Sequence, residues 1–182
     1  MKPAIFLDRD GVVIENRPDY VLRWEDVEFF PEAVRALAQF AARPYQIIIV
    51  TNQSAVGRGI ISLETAQAIN QKLVSELQTK GCRIDGVFMC PHAPDDQCTC
   101  RKPRPGLLLQ AAQALEVDLT NSIMIGDAWT DLQAGQAAGV GQLALVRTGR
   151  GKQQLGLPRP PEILEAKIYA DLAAALGDLI AS

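Results

Sequence analysis

Residues 4–11 read AIFLDRDG, and residues 45–54 read YQIIIVTNQS. Each stretch runs through apolar residues and then turns polar at its carboxyl end. Ala4 to Asp8 has the composition of a short buried strand. Tyr45 to Thr51 is a near-continuous β-branched run, the pattern of a strand covered on both faces. The same grammar recurs at Gly86 to Cys90 (GVFMC), Ser122 to Asp127 (SIMIGD) and Gly141 to Arg147 (GQLALVR). Helical stretches separate these runs. Pro31 to Ala42 places Val34, Leu37, Ala38 and Ala41 on one face, with Pro31 suited to the first turn. Ser62 to Lys80 has Ser62 as N-cap and Gly81 as its stop. Pro105 to Glu116 and Ala128 to Ala138 are further helices, the second stopped by Gly139. Ile168 to Ala170 forms a short edge strand, and Asp171 caps a final helix from Leu172 to Ile180. Residues 12–29 form an irregular flap, and the Gly- and Pro-rich residues 149–161 form a surface loop. Strands alternating with helices predict an α/β protein of three layers with a mostly parallel sheet.

A chain of 182 residues suits a single domain, 1–182, with one sizeable core. The net charge of -3 argues against a dedicated nucleic-acid binder, which usually carries a basic excess. The first residues are too briefly apolar for a signal-peptide core, and no run approaches the length of a membrane span. The expected setting is the cytoplasm, where clustered cysteines more often bind metal than form disulfides.

In parallel α/β sheets, ligands bind beyond the carboxyl ends of the strands. The polar residues of this chain gather at those ends. The first strand ends in Asp8-Arg9-Asp10-Gly11, the second in Thr51-Asn52-Gln53-Ser54. The third ends in a cysteine cluster followed by Arg101 and Lys102, the fourth in Gly126-Asp127 with Asp131 four residues on. Asp8 and Asp10, two apart on extended chain, point to one side. Carboxylates so close need a proton or a cation between them, and Mg²⁺ suits an oxygen-only set joined by Asp127. Asp-Arg-Asp-Gly also has the composition of a plain solvated turn. Lys102, the Thr51 hydroxyl and backbone N–H groups near Asn52 and Gln53 would cradle a phosphoryl group at the same edge.

Residues 90–100 read CPHAPDDQCTC. Cys90, His92, Cys98 and Cys100 make a Cys₃His set suited to tetrahedral Zn²⁺. Four protein ligands leave no open position, so this zinc is structural. A C-x-C pair is awkwardly short for a disulfide. A zinc-ordered loop over 90–104 would fix where Arg101 and Lys102 point. A zinc-finger nucleic-acid module is the competing reading; the acidic balance and the lack of a basic helix after the ligands count against it. Cys82 reads as a small buried apolar side chain.

LDRDG, VTNQS, RKP and GD with a further Asp, in that order, resemble the four motifs of the haloacid dehalogenase (HAD) superfamily of phosphohydrolases. The resemblance runs from Ala4 to about Gly149 and implies a Rossmann-like HAD fold without a large cap domain. It further implies Asp8 as nucleophile and Asp10 as general acid and base. Thr51 and Lys102 would orient and neutralise the phosphoryl group. Mg²⁺ would be held by Asp8, the Asp10 carbonyl and Asp127. Asp131 either reaches the Mg²⁺ through water or sits on a helix face. An Asp at position 10 favours phosphomonoester hydrolysis over ion pumping, since an alkoxide leaving group needs a proton.

A Cys/His loop leading into CRKP is similar to a smaller branch of that superfamily, whose members act on a heptose bisphosphate or on histidinol phosphate. TNQSAVGRG, RKPRPGLLL and LVRTG lie nearer the heptose members. That implies a small sugar phosphate as the partner of a monomeric enzyme, with no nucleic acid or membrane. The expected substrate contacts are Arg9, Asn16, Arg17, Asp19, Tyr20, Asn52, Gln53, Ser54 and Arg101. Arg58 and Arg104 are candidates for reaching a second phosphate.

Overall fold

A computed structural model describes residues 1–163 and 165–179. Six strands form one sheet: β1 (Ala4–Leu7), β2 (Gln46–Asn52), β3 (Gly86–Cys90), β4 (Ile123–Gly126), β5 (Gln142–Val146) and β6 (Lys167–Tyr169). Their order is β3-β2-β1-β4-β5-β6, and every neighbouring pair is parallel. Successive side chains of a strand face opposite sides of the sheet, so each strand feeds two cores. Ile5, Leu7, Ile47, Ile49, Ile123 and Ile125 pack on one side. Phe6, Ile48, Val50 and Met124 pack on the other.

Helices cover both faces. Against the isoleucine side lie α1 (Pro31–Phe40) through Ala33 and Leu37, α3 (Leu63–Thr79) through Leu73 and Leu77, and α7 (Leu172–Leu179) through Ala175 and Leu176. The one-turn α2 (Ser54–Gly57) lies between β2 and α3. The other side is covered by α4 (Gly106–Leu115) through Leu107, Leu108 and Ala111, and by α5 (Trp129–Ala138) through Leu132 and Ala134. The helix ends follow local chemistry. Ser62 Oγ accepts the Thr65 N–H at 3.1 Å, and Gly139 closes α5 at φ +83°, where a side chain would be strained.

Two segments depart from the sequence-based expectation. The flap is not wholly irregular surface. Val12, Val13, Ile14 and Val21 are buried in the isoleucine-side core, because their apolar side chains are drawn under the sheet edge. Bridges from Ile14 to Asp10 and to Phe29 pin both ends of this segment, leaving residues 15–20 to rise above it. The expected 149–161 loop contains a one-turn helix, α6 (Gly151–Gln154). Gln154 anchors it by accepting from Trp129 N–H at 3.1 Å and from Trp129 Nε1 at 2.8 Å. The final helix matches its expected start at Leu172; its expected last residue, Ile180, lies outside the described residues.

β1 has β2 on one side and β4 on the other, so the chain reverses its winding direction there. A crevice opens at the carboxyl ends on either side of that reversal, the usual ligand position in this architecture.

Candidate active site

A cavity of about 550 Å³ occupies that crevice. Asp8, Asp10, Asn52, Lys102, Asp131 and Arg150 are among its lining residues. A larger groove of about 710 Å³ runs between α3 and β3, but no charged residue lines it. The charged chemistry therefore belongs to the crevice.

Lys102 is the hub. Its ammonium contacts Asp8 Oδ1 at 2.8 Å, Asp131 Oδ1 at 2.7 Å and the Val50 carbonyl at 2.8 Å. These three acceptors use all three of its hydrogens. The side chains of Lys102, Asp8 and Asp131 are only 2%, 6% and 1% exposed. Asn52 holds the Lys102 backbone from both sides: its Oδ1 accepts the Lys102 N–H and its Nδ2 donates to the Lys102 carbonyl, each at 3.1 Å. Burial pushes the Asp8 carboxyl up, to about 7; Lys102 opposes this, while Asp131, Asp127 and Asp10 add to it. Burial pulls the Lys102 ammonium down, yet Asp131 and Asp8 outweigh it and hold the group above the usual lysine range.

Asp127 follows β4. Its Oδ2 accepts the Arg150 N–H at 2.8 Å, and its Oδ1 accepts Arg150 Nη2 at 3.0 Å. A Cβ placed on Gly11 or on Gly149 would lie 2.1 or 2.4 Å from Asp127 Oδ2. Two glycines thus make the room this carboxylate occupies. Burial and neighbouring Asp131 raise the Asp127 carboxyl, against the pull of Arg150.

Asp8, Asp127 and Asp131 bring carboxylate oxygens within 4.8 Å of one another. Three buried carboxylates face two cations, Lys102 and Arg150, which leaves an excess of negative charge. An all-oxygen set with unmet charge fits a hard divalent cation such as Mg²⁺. Asp131 is no mere helix-face residue, since its Oδ2 also accepts the Ala128 N–H at 3.0 Å at the start of α5. One carboxylate both caps the helix and reaches Lys102.

The cysteine loop follows β3. Its Sγ atoms lie 3.2 Å (Cys90–Cys100), 3.5 Å (Cys98–Cys100) and 3.6 Å (Cys90–Cys98) apart. His92 Nδ1 lies 3.6 Å from Cys90 Sγ and 3.3 Å from Cys100 Sγ. Tetrahedral zinc with ordinary bond lengths requires edges of about 3.8 Å between sulfurs and about 3.6 Å from sulfur to nitrogen. The measured separations lie within about 0.6 Å of those edges, the Cys90–Cys100 pair being the shortest, whereas a disulfide would need about 2.05 Å. Cys82 stays apart, buried, with its thiol donating to the Val34 carbonyl at 3.4 Å.

The expected substrate contacts divide. Asn16, Arg17, Tyr20, Asn52, Gln53, Ser54 and Arg101 line the cavity. Asp19 lines a neighbouring depression with Arg17 and Arg23. Arg9 lies outside the lining, 1% exposed, with its guanidinium on Asp10 and Asn70. Buried Thr51 accepts from Gln53 Nε2 at 2.8 Å. Arg58 is exposed and outside the cavity lining, and Arg104 is tied to the Cys98 carbonyl. Sequence reasoning missed Arg150, Gln153 and Thr130, which also line the cavity. Arg150 lay in a stretch whose Gly and Pro content signals only a loop; its place one residue after LVRTG was the available cue.

A three-layer parallel sheet with acidic groups and a buried lysine at its carboxyl edge defines a class. The HAD-hydrolase-like family profile matches residues 99–175; with relatives matching along nearly the whole chain, the protein belongs to the HAD-like phosphatases. It is 37% identical to the D-glycero-beta-D-manno-heptose-1,7-bisphosphate 7-phosphatase of Bordetella bronchiseptica, over 97% of both chains. It is 39% identical to the protein of that name from Photorhabdus laumondii, over 81% of this chain and 82% of the other. The crystal structure of D,D-heptose 1,7-bisphosphate phosphatase from B. bronchiseptica, complexed with magnesium and phosphate, superimposes with a TM-score of 0.90 at 36% identity, covering 98% of each chain.

Proposed function

We propose that this protein is a cytoplasmic, monomeric, Mg²⁺-dependent phosphatase that removes the 7-phosphate of D-glycero-D-manno-heptose 1,7-bisphosphate. The observation that carries the reading is Asp8, buried against Lys102 and within reach of Asp127 and Asp131 at the winding reversal. Among the described residues no helix is long and apolar enough to cross a membrane.

In the first step Asp8 Oδ attacks phosphorus, and Asp10 gives its proton to the leaving sugar oxygen as the P–O bond breaks. Asp8 then carries an aspartyl-phosphate. In the second step Asp10, now a carboxylate, takes a proton from water that attacks the same phosphorus, and the bond to Asp8 breaks. Splitting one displacement in this way lowers each barrier. Lys102 holds Asp8 in line and faces the charge that develops on the phosphoryl oxygens. Asp8, Asp127 and the Asp10 carbonyl would hold Mg²⁺, with Asp131 beside them; when bound, the ion supplies neutralising charge to the phosphoryl group. Cys90, His92, Cys98 and Cys100 would hold zinc, which would fix the loop that presents Arg101 and Lys102.

The rest of the lining favours a doubly anionic substrate. Arg17, Arg101 and Arg150 place three further cations on the cavity wall. A second phosphate is attracted there, while the ammonium of histidinol phosphate is repelled. The test is phosphate release with Mg²⁺ from the heptose bisphosphate and from histidinol phosphate, compared by kcat/KM, with Asp8→Asn as control. The bisphosphate should be preferred by at least about tenfold, the scale of one charged contact, and Asp8→Asn should be folded and inactive. Preference for histidinol phosphate overturns the substrate, and an active Asp8→Asn overturns the covalent route.

A further inference from the structure

Arg9 is among the most completely buried large side chains of the protein. A buried ion pair is a poor stabiliser, because desolvation offsets its attraction. What Arg9 does to its partner is therefore the more informative question. Arg9 Nε donates to Asp10 Oδ2 at 2.9 Å and Arg9 Nη2 to Asp10 Oδ1 at 3.1 Å, a side-on bidentate pair. The third arm, Nη1, donates to Asn70 Oδ1 at 2.8 Å. Asn70 is itself buried on α3, and its Nδ2 reaches Met89 Sδ at 3.4 Å on β3. The guanidinium plane is thus fixed at both edges, and the fixed plane sets the plane of the carboxylate.

A carboxylate offers two lone pairs on each oxygen. Asp10 Oδ2 spends both, on Arg9 Nε and on Gln53 Nε2 at 3.0 Å. Asp10 Oδ1 spends one, on Arg9 Nη2. A single lone pair, on Oδ1, remains for a proton.

We infer that Arg9 and Asn70 are positioning residues for the proton transfer, and that they confine it to Asp10 Oδ1 by occupying the other sites of that carboxylate. The inference rests on Asp10 being the acid and base of the proposed reaction. In the first step the proton leaves Oδ1 for the departing sugar oxygen; in the second it returns to Oδ1 from water. Releasing the third arm of Arg9 lets the guanidinium and the carboxylate rotate, which spoils proton delivery while leaving the Asp8 attack intact.

The measurement is kcat and KM on a sugar phosphate, and the pre-steady-state p-nitrophenolate burst from p-nitrophenyl phosphate, whose leaving group departs without a proton. Asp10→Asn, Asn70→Leu, Asn70→Asp and Arg9→Lys are compared with the parent, each after a check of thermal unfolding. A misplaced general acid costs part of the roughly 10²–10⁴-fold that such catalysis supplies. Asn70→Leu and Arg9→Lys should therefore lose about tenfold or more in kcat on the sugar phosphate. Their KM should stay within about twofold, and the rate of their p-nitrophenolate burst should change little, because the second step, which also uses Asp10, comes after it. Asn70→Asp, which keeps an acceptor for Nη1, should recover most of the loss. If Asn70→Leu and Arg9→Lys lower the sugar phosphate kcat and the aryl burst equally while Asp10→Asn spares the burst, the pair is only structural and the inference is overturned. If Asp10→Asn itself lowers the burst as much as the sugar phosphate kcat, Asp10 is not the acid, and the proposed mechanism falls first.

Discussion

Replacing Lys102 with methionine removes the cation from a buried cluster and keeps most of the side-chain volume. Three contacts are lost at once: to Asp8, to Asp131 and to the Val50 carbonyl. The cost depends on pH, with a sign that follows from Asp8. In the parent, Asp8 titrates near 7 in the fold and near 3.8 when unfolded. Between those values the folded state binds the extra proton, so magnesium-free stability falls as pH rises, by about 1.4 kcal/mol per pH unit. Above about 7 the parent levels off.

Lys102 is the influence that lowers Asp8, so its removal moves the Asp8 titration upward and the decline continues. At about pH 6 Asp8 is mainly protonated in both proteins, and the loss is the unmet Val50 and Asp131 acceptors, about 1–3 kcal/mol. At about pH 8 a further ~1.4 kcal/mol is added, which brings the total near the 3–5 kcal/mol typical of a broken buried pair. Urea unfolding in magnesium-free buffer with zinc retained measures both values. A loss that stays constant from about pH 6 to about pH 8 would refute the argument, since Asp8 would not be the group that absorbs the missing charge. Turnover should fall by about 10²-fold or more in the same variant, the scale of one lost charge-stabilising group.

Protein purified without added metal should carry about one zinc per chain by elemental analysis, and Cys98→Ser should lose it along with hydrogen-exchange protection over residues 90–104. Zinc-free protein with full turnover would separate the loop from the chemistry. Mg²⁺ affinity should weaken by up to about tenfold per pH unit below about 7, because the ion displaces the Asp8 proton. Calorimetry in buffers of different ionisation enthalpy reads the released proton directly, and none released near pH 6 would remove Asp8 from the metal site.

The sequence by itself determined the α/β class, the positions of the strands and the residue types at their carboxyl ends. Those features are local. A β-branched run such as Ile47–Val50 reports its own burial, Ser62 and Gly139 report helix ends, and Cys90 to Cys100 hold a complete ligand set within eleven residues. The short apolar stretch Val12–Ile14 misled for the same local reason, since its polar neighbours hid a core contact.

Only the tertiary structure decided who meets whom at the edge. Lys102 and Asp8 are separated by 94 residues, Arg9 and Asn70 by 61, Arg150 and Asp127 by 23. Asn70 belongs to an otherwise ordinary amphipathic helix, Arg9 sits in a motif whose aspartates draw the attention, and Arg150 follows a loop signal. No periodicity or spacing encodes such pairings. They arise because parallel strands deliver distant segments to one sheet edge, where burial makes every unpaired charge costly and so selects its partner.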